Sequence, residues 1–357
     1  MEVSNTEALW WLIALVTFWT VMNILSAKKM LPRNTQVSYG VVLLVKKAGN
    51  VKATGVFKKA RDFLVVAYIV TLLMGVVTII LSIYVKLTTQ RTSTVILVPG
   101  INITGLDLIL FAINVGIAAT VHEFFHAKTA VSNGVGIKGY GIGLILFIPL
   151  AFVEVEEEAF SKAQLREKLA VLSAGPVANM ALALVSILLL SALAYHTGLL
   201  IISVSENSIA ERFGLKAGDI LISVNQTELR SHSDLSQYTS LNEDTVLNIT
   251  YLRPGEGIKY VLIEKPANVS KIGVVITPAP VRPEVLTFLG VSISIALMSF
   301  ITWMYVVNNS LAILNALPIF ISDGGRFFIE VAGEKIGQAI NIVGVILLVA
   351  LLLSSGI

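Results

Sequence analysis

Cysteine is absent from this 357-residue chain, and Asp, Glu, Lys and Arg together make up only 14% of it. The absence of cysteine excludes disulfide bonds and thiolate metal ligands. The hydrophobic share, 55%, is high, because soluble domains average about 45–50% apolar and about 25% charged residues. The composition therefore argues against a soluble protein.

Apolar runs long enough for a membrane-spanning helix, about 20 residues, recur along the chain. The sequence predicts six transmembrane helices, near residues 8–26, 64–86, 106–127, 169–195, 291–314 and 338–354. The first run lacks a basic segment before it and a small-residue cleavage pattern after it. It is therefore predicted to be a retained anchor and not a signal peptide.

Basic residues between the first two spans predict the orientation. Residues 28–61 contain only basic charges, whereas Glu2 and Glu7 precede the first span. The positive-inside rule places this loop in the cytoplasm of a cell membrane. Six spans then place both termini and the 199–278 segment outside the cytoplasm, and the end of the third span toward the cytoplasmic half.

The predicted fold is a multi-pass α-helical membrane protein with about six transmembrane helices, a membrane-associated β-hairpin and one small extracytoplasmic PDZ-like α/β domain. The predicted division is 1–105, an N-terminal transmembrane pair with a basic loop; 106–198, catalytic core spans; 199–278, the PDZ-like domain; and 279–357, C-terminal spans.

The hairpin is predicted around residues 134–158, where glycines separate β-branched and aromatic residues. A short apolar connector at the membrane interface is the alternative. The segment 199–278 alternates polar turns with short β-like runs. Its pattern of Ala210, Gly214-Leu215, Gly218-Asp219-Ile220 and Val224-Asn225 resembles PDZ domains of bacterial proteases. Such domains bind an extended peptide or a chain end; a simple spacer is the alternative.

The third span ends in His122-Glu123-Phe-Phe-His126. Residues four apart share a helix face, so both imidazoles can bind one metal ion while Glu123 stands beside it as general base. Ionisable groups inside a membrane are costly and mark functional sites. A packing role for the histidines is the less specific alternative.

Hydrolytic zinc keeps three protein ligands and one open position. The remaining histidines, His196 and His232, are predicted to lie outside the membrane, so the third ligand should be a carboxylate. Asp323 is the preferred candidate because Pro318 ends a helix shortly before it and two glycines follow it. Alternatively, Asp323 could cap the next helix.

Taken together, these motifs resemble the site-2 protease family of intramembrane zinc metalloproteases. The resemblance covers residues from about 106 to 335. Its motifs are the His-Glu-x-x-His pentad, the glycine-rich run from Gly139 to Val155, Ala174-Gly-Pro-Val-Ala-Asn179, the PDZ-like insert, and Asn315-x-x-Pro318 followed by Asp323-Gly-Gly. Ser322 departs from the family pattern, which usually has an apolar residue at that position.

The resemblance implies one zinc ion per chain, held by His122, His126 and Asp323, with Glu123 catalytic. It implies cleavage within the membrane segment of a single-span regulatory protein, already trimmed by another protease. Asn179 and Asn315 match polar family positions and would hold substrate backbone or stabilise the oxyanion. Hydrogen bonding between helices is an equal alternative for both.

Two other functional classes compete with the protease. A transporter would explain intramembrane ionisable groups, but not the glutamate between the histidines or the peptide-binding module. An inactive scaffold is disfavoured because every catalytic residue type is present. The expected partners are the substrate, the lipid bilayer and a peptide or chain end at the PDZ-like domain, with no nucleic acid.

Overall fold

The computed structural model describes residues 5–32, 34–38, 40–47, 51–146, 148–241, 243–278 and 281–356. Its helices are α1 (Asn5–Ala27), α2 (Gly55–Lys59), α3 (Arg61–Thr89), α4 (Gly105–Ser132), α5 (Glu157–Lys162), α6 (Leu165–Leu193), α7 (Ile209–Arg212), α8 (His232–Thr239), α9 (Pro283–Ala316), α10 (Asp323–Ala332) and α11 (Glu334–Ser354).

Among the described residues, five helices are long and apolar enough to cross a membrane: α3, α4, α6, α9 and α11. They coincide with the second to sixth predicted spans. Inside α9, Gly290 is non-helical, with φ 74°, so the regular helix begins close to the predicted start at 291. The first predicted span lies in α1, whose side chains are described only from Ile13, and it remains a prediction.

The described strands form two sheets. They are β1 (Thr35–Ser38), β2 (Val41–Lys47), β3 (Ile137–Ile145), β4 (Ile148–Val155), β5 (Leu199–Val204), β6 (Ile220–Val224), β7 (Thr227–Glu228), β8 (Thr245–Arg253), β9 (Gly257–Lys265) and β10 (Val274–Pro278).

The first sheet is antiparallel, with strand order β1-β2-β3-β4. The predicted hairpin is present as β3 and β4, which pair from Ile145 with Ile148 onward. Two further strands, from the segment interpreted as a basic loop, extend it: Leu44 of β2 pairs with Ile142 of β3. β4 is an end strand and lies against α4.

The chain divides into two compact units, residues 1–185 with 303–357, and residues 186–302. The first unit contains the first sheet, and its core joins Tyr68, Phe160, Ala174, Ala316 and Phe327. It therefore brings α3, α6, α10 and the end of α9 together.

The second unit contains an antiparallel sheet ordered β10-β5-β6-β8-β9, with β7 paired to β6. Leu199, Leu221, Leu247 and Ile249 are fully buried in its apolar core. All its strands lie within the predicted 199–278 domain. The PDZ-like identity of that domain remains a prediction.

Candidate metal centre

The two histidines of the pentad lie one turn apart on α4 and point the same way. Their Nε2 atoms are 3.0 Å apart, as the spacing of four residues predicts. Both rings are buried, with 8% of His122 and 7% of His126 exposed. α4 therefore presents two nitrogen donors to a single point inside the first unit.

Asp323, the first residue of α10, completes the cluster. Its Oδ2 lies 3.1 Å from Nε2 of His122 and 3.2 Å from Nε2 of His126. In a tetrahedral zinc site with bonds of about 2.0–2.1 Å, the ligand atoms lie roughly 3.3 Å apart. The three atoms form a triangle of nearly this size, and two imidazoles with a carboxylate are a donor set that suits zinc.

The N-terminus of α10 is held by Ser322. Its hydroxyl accepts a hydrogen bond from the backbone N–H of Gly325 at 3.0 Å and donates one to the carbonyl of Leu317 at 2.6 Å. Ser322, and not Asp323, is the N-cap residue. The residue that departs from the family pattern thus caps the helix, and the Asp323 side chain faces the histidines.

Tyr68 and Gly344 support the turn before Asp323 from two other helices. The hydroxyl of Tyr68 donates to the carbonyl of Ala316 at 2.8 Å, and its ring stacks on Phe327 with centroids 4.4 Å apart. A Cβ on Gly344 would meet the carbonyl oxygen of Pro318 at 1.9 Å. α11 can approach the turn this closely because residue 344 has no side chain.

α6 lies directly behind the histidines. Nδ1 of His126 donates to the carbonyl of Val171 at 2.7 Å, and Nδ2 of Asn179 lies 3.3 Å from Nδ1 of His122. Midway between them, a Cβ on Gly175 would meet Nε2 of His126 at 2.4 Å and Nε2 of His122 at 2.5 Å. A glycine at 175 therefore makes room for both rings.

Glu123 joins the cluster to the first sheet. Its Oε2 accepts a hydrogen bond from the backbone N–H of Val153, on end strand β4, at 2.8 Å. Its carboxylate also interacts electrostatically with His122, His126 and Asp323. A carboxylate in this place can accept a proton beside the three candidate metal ligands.

Several other carboxylates of the first unit have partners elsewhere. Asp107 accepts from the indole N–H of Trp303 at 2.9 Å, and Glu330 pairs with Lys168 at 3.0 Å. Glu154, Glu157 and Glu158 pair with Lys138, Arg326 and Lys162. In the part of the chain that the structure describes, His122, His126 and Asp323 form the one cluster able to hold a metal.

The two predicted asparagines are placed differently. Asn179 is fully buried and lies against His122. Asn315 donates from Nδ2 to the carbonyl of Leu311, one turn earlier on its own helix, at 3.1 Å. The structure therefore brings Asn179 to the metal cluster, while the contact of Asn315 is within α9. The predicted substrate and oxyanion roles remain proposals for both.

Three parts of the site were missed by the sequence analysis: the amide of Val153, Gly175 and Tyr68. A backbone N–H has no sequence signal because nearly every residue carries one. Gly175 lies inside the Ala174-to-Asn179 motif, and that motif could have pointed to it. Tyr68 was one of two tyrosines within the span predicted at 64–86, and nothing in the sequence set it apart from Tyr84.

The fold and this cluster define a class: a multi-pass membrane protein with a histidine, histidine and carboxylate metal centre beside a glutamate. A comparison with protein-family models matches "Peptidase family M50" over residues 110–352. Because the match covers more than half of the chain and includes the whole cluster, the chain belongs to peptidase family M50. This confirms the resemblance inferred from the sequence.

Curated relatives are similar to parts of the chain. An uncharacterized protein of Methanocaldococcus jannaschii is 33% identical over 65% of this chain and 60% of its own length. A protein of Agrobacterium fabrum named "Putative zinc metalloprotease" is 31% identical over 32% of this chain and 31% of its own. One of Clostridium acetobutylicum with the same description is 24% identical over 52% and 58%.

The chain thus spans between 31% and 60% of the length of these relatives. The family and the printed names agree with the predicted enzyme class, a metalloprotease, and with the predicted cofactor, zinc. Independently, five helices in the described part of the chain are long and apolar enough to span a bilayer, as the prediction of a multi-pass membrane protein requires.

Proposed function

We propose that this protein is an intramembrane zinc metalloprotease that cleaves a peptide bond within the transmembrane segment of a membrane-anchored regulatory protein. The observation that carries the proposal is the triangle of His122, His126 and Asp323 atoms, 3.0–3.2 Å apart, with Glu123 beside it. Zinc bound there would supply an electrophile for the scissile carbonyl and lower the pKa of water toward about 7.

Glu123 is the proposed proton carrier. It accepts a proton from the attacking water and delivers it to the leaving amine. In the described structure its carboxylate is held by the N–H of Val153 at 2.8 Å, which fixes its direction relative to the ligands. The histidines and Asp323 hold the metal and take no part in proton transfer.

The test is cleavage of a tagged single-span model substrate by purified full-length protein in detergent, with bound metal measured in each sample. Glu123→Gln should lower the cleavage rate by roughly 10²–10⁴-fold, the usual contribution of a general base, and should retain zinc. His126→Ala should lose both. Glu158→Gln is the matched control, because Glu158 is exposed, lies outside β4 and pairs with Lys162.

Zinc binding without cleavage of any tested substrate would favour the scaffold alternative. Zinc transport by reconstituted vesicles, unaffected by Glu123→Gln, would favour the transporter. Wild-type protein that fails to bind zinc would contradict the proposal that the protein is a zinc enzyme.

The proposed substrate site is the free edge of β4. A peptide bond in a transmembrane helix is shielded by its own hydrogen bonds, so the substrate must unwind, and an extended segment can add to a sheet edge. The N–H of Val153 points out of the sheet to Glu123. The N–H of Ala151, two residues earlier in the strand, points to the same edge as that of Val153. Pro149 lies two residues earlier again, and it suits an edge that pairs with no other strand because proline has no N–H.

Ala151→Pro would remove an outward-facing donor without removing a bond to β3. Cleavage should fall while zinc content stays constant, and Ala151→Val, which keeps the N–H, should cleave normally. Full cleavage by the proline variant would remove strand addition at this edge from the mechanism.

The proposed topology places α2 and the basic loop in the cytoplasm, the active site toward the cytoplasmic half, and residues 199–278 outside. Because the chain lacks cysteine, single cysteines report the side without background. Lys58→Cys and Glu243→Cys, both at exposed positions, should react with an impermeant maleimide from opposite sides of the membrane. Labelling from the same side would overturn the topology.

The 199–278 domain is proposed to bind a peptide or chain end as a PDZ-like module. End strand β10 and the nearby helix α8 offer an edge for such a ligand. Deletion of this domain from the full chain would separate two possible roles, because each predicts a different change in cleavage. A size filter would then admit substrates that have not been trimmed, whereas a reader of chain ends would cut trimmed substrates more slowly.

A further inference from the structure

The two histidines differ in the group that holds the ring nitrogen away from the cluster. For His126 this group is a backbone carbonyl, that of Val171, at 2.7 Å from Nδ1. A carbonyl only accepts, so Nδ1 of His126 must carry the proton. Nε2 is then unprotonated and available as a ligand.

For His122 the corresponding group is the side-chain amide of Asn179. As placed, Nδ2 of Asn179 lies 3.3 Å from Nδ1 of His122, and the amide oxygen Oδ1 is buried without a hydrogen-bond partner. If the amide nitrogen donated here, a neutral His122 would carry its proton on Nε2, facing Asp323. That tautomer cannot bind a metal through Nε2.

A half-turn about the last side-chain bond exchanges the two amide atoms of Asn179. Oδ1 then faces Nδ1 of His122 and accepts its proton in a hydrogen bond, and Nε2 becomes free. Other helix asparagines behave differently: Asn308 and Asn315 donate to the carbonyl four residues earlier in their own helices. Asn179 is directed instead at a side chain on another helix.

We propose that Asn179 is a positioning residue whose Oδ1 accepts from Nδ1–H of His122, fixing the tautomer and the ring direction with which His122 binds the metal. The proposal rests on the proposed function, because it concerns the same metal centre. It differs from a substrate or oxyanion role, since Asn179 is 0% exposed and its amide faces the far side of a ligand ring. Partners of this kind tune metal affinity.

The test is zinc affinity, measured by competition with a chromophoric chelator in detergent-solubilised full-length protein. Asn179→Leu keeps a similar volume and removes the acceptor, so the zinc Kd should rise roughly 10–100-fold. Asn179→Asp keeps an acceptor, so its zinc Kd should stay within a few fold of wild type. Asn308→Leu is the matched control, since Asn308 is equally buried in a span and bonds to its own helix.

Three results would overturn the proposal. Unchanged zinc affinity in Asn179→Leu, with loss of cleavage, would support an oxyanion role. A lower melting temperature of the metal-free Leu variant with unchanged zinc affinity would support helix packing alone. Should the Leu variant fail to fold, weakened zinc binding in Asn179→Asp would contradict the acceptor role. Wild-type protein that binds no zinc would contradict the proposed function itself. Wild-type protein that binds zinc, with His126→Ala that does not, would leave the proposed function standing even if the role proposed for Asn179 fails.

Discussion

The two units of the molecule differ in how far they expose their large apolar side chains. In the second unit, Leu199, Leu221 and Ile249 are fully buried, as in any soluble domain. In the first unit, Leu73 and Ile346 are 58% and 61% exposed on predicted spans, while the metal-cluster histidines are buried. A helix surrounded by lipid gains little by hiding leucine, so apolar side chains there need not turn inward.

This difference changes what a buried residue signifies. In the second unit the buried residues are those that stabilise a small sheet. In the first unit the buried polar residues, such as His126 and Asn179, must each be matched by a partner. A substitution in the first unit should therefore affect the metal centre more than the fold, and the reverse should hold in the second unit.

The largest expected effect comes from Gly175→Ala. The new Cβ would lie 2.4 Å from Nε2 of His126 and 2.5 Å from Nε2 of His122, the proposed metal-binding atoms, so one ring must move. Since loss of a supporting contact alone costs about 10–100-fold in metal affinity, displacement of a ligand should cost at least the upper end of that range. A chelator competition titration measures it.

Gly55→Ala is the control for this change, because a Cβ at Gly55 would meet nothing within 4 Å. Equal zinc affinity in the Gly175 and Gly55 variants would show that the histidine rings are not confined by α6 as described.

The next effect in size is expected in the second unit, from Arg253→Leu. Arg253 donates to Asp219 from Nε and Nη2, each at 2.7 Å, and the Asp219 side chain is 2% exposed. These hydrogen bonds raise the pKa of the Arg253 guanidinium. Removing one partner of a buried pair leaves a buried charge, at about 3–5 kcal/mol.

Hydrogen exchange of the sheet amides in the full-length protein measures this loss. Arg230→Leu, which breaks the exposed pair with Glu228, should cost at most about 1 kcal/mol. Zinc affinity should be the same in both variants. A large fall in zinc affinity on Arg253→Leu would mean that the two units depend on each other.

The contrast between the units also explains what could be predicted from the sequence. Spans two to six followed from hydropathy alone, because lipid requires long apolar runs. The β-rich character of the second unit followed from short β-like runs between polar turns. The pentad and Asp323 were singled out because their chemistry and spacing are rare, and the structure brings them together; their roles as ligands remain a prediction.

The first sheet was only half predicted. β3 and β4 are adjacent in sequence and carry glycines, so their hairpin was visible. β2 pairs with β3 across more than ninety residues, for example Leu44 with Ile142, and a single sequence carries no signal of such long-range pairing. Lys46 and Lys47, which end β2, also favoured the interpretation of a loop.

The third largest effect is expected from truncating a buried apolar side chain in the second unit. Leu221→Ala would leave a cavity in a core where Leu221 is 0% exposed, at about 2–5 kcal/mol. Exchange of the β6 and β8 amides should accelerate, while zinc content stays constant. On the first unit, Leu73→Ala should change neither quantity, because Leu73 is 58% exposed. Equal destabilisation by the two alanines would contradict the comparison of the units.

The smallest change in stability is expected when a helix cap is removed. One cap in each unit allows a direct comparison of the two units. Ser322 caps α10 by accepting from Gly325 N–H at 3.0 Å, and Ser208 caps α7 by accepting from Glu211 N–H at 3.2 Å. Each alanine substitution should cost about 1 kcal/mol of local stability. Only Ser322→Ala should also weaken zinc binding, because the cap sets the position of the Asp323 carboxylate. Amide exchange and chelator competition, measured on both variants, separate these outcomes. If neither serine affects zinc, Asp323 is held by Tyr68 and the close contact at Gly344 without help from the cap.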